Sequence, residues 1–177
     1  LKLTGRKLLL ENCRYSDPAI RTGEDTTIML PCLIDCERLV IMDHKAYYHY
    51  LYVTESMIHK YDKDLYDNIR LLRMITRQIL QDKFEGETLL QMRKKADQEH
   101  IFMLFLVLKN EARGNPEGYR KNILAVCKSD EVRALCKSTR VTVKEKAGRL
   151  VYLTLRYPCW ATVMLLRLAM VIYYRNK

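Results

Sequence analysis

Two adjacent carboxylates follow a glycine and precede an apolar run in Gly23-Glu24-Asp25-Thr26-Thr27-Ile28-Met29-Leu30. Two kinds of chemistry are open to a carboxylate in that position. In the first turn of a helix it is stabilised by the macrodipole and commonly does nothing more. Exposed and held still, the same group can act as a general base and take the proton from an attacking hydroxyl. A second candidate is His49, set between Tyr48 and Tyr50, whose plainest role is a half-buried strand histidine bonded to backbone. The six cysteines, Cys13, Cys32, Cys36, Cys127, Cys136 and Cys159, form no CxxC pair and have no matching histidine spacing, so neither a zinc site nor a dithiol motif is indicated. They read as reduced thiols of a cytosolic chain.

The chain that must position these residues has 177 of them, 49% hydrophobic, enough to bury the core of a full domain. Its net charge of +10, from 31 Lys and Arg against 21 Asp and Glu, favours a negatively charged partner: nucleic acid, an anionic membrane surface or a phosphorylated substrate. No basic segment leads into an apolar signal core at the N-terminus. The chain opens on Leu1 and reads as part of something longer.

Lys2 to Glu11 is basic and leucine-rich, and Asn12 to Gly23 is polar around Ser16-Asp17-Pro18, a segment expected to be mostly loop. From Asp25 to Cys36, Ile28, Met29, Leu30, Leu33 and Ile34 recur at helical spacing, with Thr22 or Asp25 available as cap and Pro31 expected to shorten or kink the helix. Leu39-Val40-Ile41-Met42 reads as a buried strand, and Ala46 to Val53 as a second extended run. Leu65, Ile69, Leu72, Ile75 and Ile79 then begin a helical region. Further helices are expected over Leu89 to Leu108, Glu117 to Cys127, from the cap Ser129-Asp130 through Cys136, and from Pro158 to about Tyr173. Thr139 to Lys146 is a basic linker, and Leu150 to Leu155 fits no single element type.

The ordered series Lys2-Leu3, Arg6-Lys7-Leu8-Leu9, Gly23-Glu24-Asp25-Thr26, an apolar helix, Leu39-Val40-Ile41, Tyr48-His49-Tyr50 and Ser56-Met57 resembles the later half of family 2 glycosyltransferases of bacterial type. The resemblance implies an inverting enzyme of GT-A fold that moves a sugar from a nucleotide-sugar donor to a hydroxyl of a glycan or lipid-linked acceptor, as in polysaccharide biosynthesis. It covers residues 1 to about 58, the acceptor-side C-terminal part of the catalytic domain, with residues 59–177 as a C-terminal helical region. The expected fold is therefore predominantly α with a small β element: the C-terminal half of a GT-A α/β domain followed by a helical tail. The donor-binding half, with its Asp-x-Asp motif, would precede these residues, and the chain by itself is expected to bind nucleotide sugar poorly and to be inactive.

By that resemblance the family's xED motif falls on Gly23-Glu24-Asp25, with Asp25 the catalytic base. Glu24 would orient an acceptor hydroxyl or cap the helix. His49 resembles the family's C-terminal metal-site histidine, facing Mn²⁺ or Mg²⁺ whose remaining ligands are mostly diphosphate oxygens. Leu51 stands where the family usually carries arginine, a departure from its diphosphate contact. Lys2 would face a donor or acceptor phosphate as a point charge, or else is a solvated terminal lysine. Ser56 would lie on the loop that closes over the donor. The Gln-x-x-Arg-Trp motif of processive relatives is absent after the Asp25 helix, so one sugar per encounter is expected.

The last helix, from Trp160 to Ile172, is apolar apart from Thr162 and Arg167 and ends in Tyr173-Tyr174-Arg175-Asn176-Lys177. It is short of the ~20 residues that span a bilayer. It reads either as a core or homodimer helix, or as an interfacial helix giving peripheral contact at the inner face of the membrane. The run Ile101-Phe102-Met103-Leu104-Phe105-Leu106-Val107-Leu108 needs cover, which a second copy of the chain could provide. A basic helical module for partner assembly, or for nucleic-acid or membrane-surface binding, is the alternative to an enzyme. No helix-turn-helix, RNP-type strand or zinc knuckle favours nucleic acid, and Arg93-Lys94-Lys95 reads as a solvated helix face.

Overall fold

A computed structural model describes residues 4–41 and 60–175. Among them lie eight α-helices: α1 (Arg6–Asn12), α2 (Glu24–Asp35), α3 (Leu65–Lys83), α4 (Gly86–Gly114), α5 (Tyr119–Lys128), α6 (Asp130–Ser138), α7 (Lys146–Arg156) and α8 (Trp160–Arg175), with a 3₁₀ turn at Cys13–Tyr15. The described residues contain no strand. Of the expected buried strand, Leu39, Val40 and Ile41 are exposed irregular chain, while Met42 and the whole second run lie outside the described residues. Predominantly α is therefore the fold class, and the GT-A α/β assignment remains with the resemblance alone.

The leucine-rich opening folds as α1, because Leu8 lies over α2: the buried thiol of Cys32 meets its carbonyl at 3.7 Å. Pro31 sits inside α2, buried, and the helix nevertheless runs to Asp35. α3 follows its periodicity closely, with Leu65, Ile69, Leu72 and Ile79 buried along one stripe. α6 starts where expected, on Ser129, whose hydroxyl accepts from the Val132 N–H at 3.4 Å. The stretch Leu150 to Leu155 is the body of α7, burying Val151, Thr154 and Leu155.

α4 is the organising element. It packs against α3, α5, α6, α7 and α8, and Ile101, Leu104, Phe105, Val107, Leu108 and Ala112 are at most 5% exposed. Helices of the same chain thus cover most of the apolar run, while Phe102 and Leu106 stay exposed. At roughly 1.5–3 kcal/mol for each large apolar side chain buried, this segment is a principal source of stability. Ile20, from the stretch before α2, joins the same core with Val163, Leu166 and Met170 of α8. The opposite side of α8 leaves Leu165, Leu168 and Ile172 exposed. No helix among the described residues is long and apolar enough to cross a membrane.

A charged network fastens α3, α4 and α6. Arg73 donates to Glu131 at 2.6 Å and to Asp97 at 3.1 Å, Arg77 also holds Asp97, and Arg70 reaches Glu131. Arg73 is only 10% exposed, so these bonds are screened little by solvent. The two arginines hold the Glu131 carboxyl below the usual carboxylate range against the opposing effect of burial. Buried His100 of α4 sits beside this network. Desolvation, and then the Arg73 charge, lower its imidazole to about 4.

The pH dependence of stability follows. His100 is neutral in the fold down to about 4 but ionises near its ordinary 6.5 once unfolded. The unfolded chain therefore binds the extra proton between those values, and the stabilising contribution, present above pH 6.5, is lost as pH falls toward 4. A loss on the order of 3 kcal/mol is expected across that window. Urea denaturation at pH 7.5, 6 and 5 should show the wild type weakening while His100→Gln stays nearly flat. Parallel pH profiles would remove His100 as the cause.

Candidate functional site

The carboxylate pair occupies the first turn of α2, and both Glu24 and Asp25 are exposed. The cap position is held by Gly23, not by Thr22 or Asp25 as the sequence pattern allows. Gly23 has φ +83°, in the left-handed region where L side chains are strained, and a Cβ there would fall 2.7 Å from a Leu72 methyl. The backbone angle calls for glycine, and a Cβ here would also have to push the Leu72 methyl aside. The turn closes with the Thr26 N–H donating to the Gly23 carbonyl at 3.0 Å. The hydroxyl of buried Thr27 donates to the Glu24 carbonyl at 2.8 Å.

The chain entering this turn is tied to the start of α3. Buried Asn68 accepts from the backbone N–H groups of Arg21, at 3.3 Å, and Thr22, at 2.8 Å. The Arg21 guanidinium holds Asp64 at 3.1 Å and Asp62 at 3.7 Å. Upstream, Asp17 makes an Asx turn by accepting from the Ala19 N–H at 2.8 Å. This loop therefore brings Asp25 to the surface on a backbone fixed from two sides.

The far end of α2 is anchored as well. Asp35 accepts from Asn12 at 3.0 Å and is held by Lys83 of α3. Those bonds, Lys83 first, keep its carboxyl below the usual range. α2 is thus clamped at both ends against α1 and α3.

Glu24 and Asp25 sit about 100° apart around the helix, so they address neighbouring rather than identical directions. An exposed carboxylate at a helix N-terminus can accept a hydrogen bond or a proton from an incoming hydroxyl. The helix-terminal role and the base role are compatible in one residue here. Lys2, His49 and Ser56 lie outside the described residues. Among the described residues, no three His, Cys, Asp or Glu side chains gather as a metal-ion site.

Two groups important to this geometry carry no short motif. Asn68 falls among the polar residues of an amphipathic helix, and only its burial distinguishes it. Glu111 is buried on α4, where it accepts from the Tyr61 hydroxyl at 3.1 Å and from Asn115 and Asn122 at 2.9 and 3.1 Å. Asn110 next to it exchanges bonds with the Asp62 backbone at 2.7 and 3.1 Å. These contacts seat residues 61–64 and so the N-terminus of α3. The available signal is an unusual density of Asn and Glu at the end of an apolar helix.

No family model, curated protein or solved structure matches this chain.

Replacing Gly23 by alanine should destabilise the protein by about 2 kcal/mol, combining left-handed strain with the Leu72 collision. Gly23→Asn, which tolerates the left-handed region better, should recover only part of it because the Leu72 contact remains. Urea midpoints for both variants check this, and a Gly23→Ala loss below about 0.5 kcal/mol would mean the turn is not fixed in this way.

Proposed function

We propose that residues 1–58 are the acceptor-side part of an inverting glycosyltransferase, moving a sugar from a nucleotide-sugar donor to a hydroxyl of a glycan or lipid-linked acceptor. The observation that carries this reading is the fixed, exposed Asp25 in the first turn of α2, behind a left-handed Gly23 seated on Leu72. The motif resemblance at Gly23-Glu24-Asp25 supplies the reaction, and an exposed carboxylate on a well-braced turn supports that reading.

In the proposed step, the Asp25 carboxylate accepts the acceptor hydroxyl's proton as that oxygen bonds to the anomeric carbon. The bond from that carbon to the nucleoside diphosphate breaks on the opposite face, and the diphosphate leaves with the electron pair. Fixing the backbone around Gly23 restricts the positions of the base, which is where proximity contributes to rate. Glu24, one residue earlier, orients the acceptor or serves the helix start. Lys2 and Ser56 are proposed to face the donor, and His49 a divalent cation. When bound, that cation would offset charge on the leaving diphosphate.

The test is transfer from UDP- and GDP-sugars with Mn²⁺, in the protein that carries these residues together with a donor-binding half. Asp25→Asn is expected to lower transfer ~10²-fold or more while donor binding persists. Undiminished transfer by Asp25→Asn would reduce the pair to helix-terminal charges and remove the main support for the reading.

A further inference from the structure

The net charge is distributed unevenly along the chain. Residues 119–177 hold 13 of the 31 Lys and Arg but 3 of the 21 Asp and Glu, so the entire +10 resides there and residues 1–118 are neutral. The ion pairs follow the same division. Arg14, Arg21, Arg70, Arg73, Arg77 and Lys83 all hold carboxylates. Among the described residues, no cation between residues 119 and 167 does so.

Part of this uncompensated charge converges on a cleft. Lys128 at the end of α5, Arg133 and Lys137 of α6, and Arg156 at the end of α7 line a cavity of about 400 Å³, within the range of small-molecule sites. No carboxylate lines it. Glu131, the carboxylate nearest in sequence to Arg133, is turned away to Arg70 and Arg73. The floor is Cys127, Cys136, Leu155 and Pro158, with the exposed ring of Tyr157 beside it. Burial pushes the Cys127 thiol up to about 12 and raises that of Cys136, so neither supplies a counter-charge. Arg156 is held in place by bonds to the Cys136 carbonyl at 2.9 Å and the Tyr152 hydroxyl at 3.3 Å, neither of which neutralises it.

We infer that this α5–α6–α7 cleft is a binding site for a small soluble polyanion of the diphosphate class, with its charge on Lys128, Arg133, Lys137 and Arg156. Four cations around one cavity repel one another unless an anion lies between them. The fixed guanidinium of Arg156 and the planar fork of Arg133 suit phosphate oxygens, with the lysines adding compact charge. The apolar floor would accept the uncharged part of an organic diphosphate. The inference rests on these residues and not on the transferase reading, and shares no residue with the Asp25 turn.

The probe is inorganic pyrophosphate, titrated by calorimetry at low ionic strength. Saturable binding near one equivalent is expected, weakening as salt rises. Arg133→Gln with Lys137→Gln should weaken it about tenfold or more, as should Lys128→Gln with Lys137→Gln. Lys94→Gln with Lys95→Gln removes the same charge from exposed positions on α4, and should leave affinity within about threefold. All the substituted side chains are exposed, so thermal melting should hardly move. No saturable binding, or equal weakening by the α4 pair, would overturn the site in favour of diffuse attraction by the overall charge. Binding to vesicles containing phosphatidic acid, lost in the cleft variants, with no binding of pyrophosphate would overturn the soluble ligand and reassign the cleft to a lipid headgroup.

Discussion

Between Ile101 and Ala112, α4 has apolar side chains around most of its circumference, and a helix of that kind has little surface it can give to water. The constraint reaches beyond α4, because the segment must be covered from several directions at once. α3, α5, α6, α7 and α8 all pack against α4, with Phe102 and Leu106 left exposed. Each covering helix needs only one apolar stripe, which explains why α3, α6 and α7 are strongly amphipathic while α4 is not. The polar end of α4 is managed separately: Arg167 of α8 donates to the carbonyls of Ala112 and Arg113, where the helix has run out of its own N–H groups.

This core also determines where Asp25 sits, through a chain of contacts that can be followed bond by bond. Asn110 and Glu111, at the end of the buried run, seat residues 61–64. Those residues start α3, which presents Asn68 to the backbone of Arg21 and Thr22 and Leu72 to Gly23. The turn carrying Asp25 follows directly. Every link is a hydrogen bond of an amide, hydroxyl or carboxylate, or a close van der Waals contact, and most of these groups are at least partly buried. A buried polar group that loses its partner costs more than the bond contributes when made, so the relay constrains geometry more than its summed energy indicates.

How much of this the sequence discloses depends on how local the cause is. The α3 stripe and the α6 cap at Ser129 are set by neighbours within a few residues, and both appear where the pattern puts them. α1 and α7 escape because their helicity comes from the surface they rest on: Leu8 against α2, and Val151 and Leu155 against the core. Leu39, Val40 and Ile41 have strand propensity but no partner strand among the described residues, and propensity without pairing leaves them exposed. At the candidate site, Gly23-Glu24-Asp25 is visible as a motif. The reason for its glycine is not, since Leu72 lies 49 positions away and the left-handed angle is a property of the fold.

The division of charge has a packing cause as well. The tight α3–α4–α6 junction can hold Arg73 at 10% exposure only because Glu131 and Asp97 meet it there, since a cation withdrawn from water without a partner is strongly disfavoured. Carboxylates are accordingly committed where cations are buried. The cations of α5 and α6 around the cleft stay exposed, with ammonium and guanidinium groups in water, so the fold places no demand for counter-ions on them. Arg156 is the exception. It is half-buried, hydrogen-bonded to a carbonyl and a hydroxyl, and lines the cavity with three further cations. Folding alone gives no reason to gather like charges there, and an anion in the cleft would supply one.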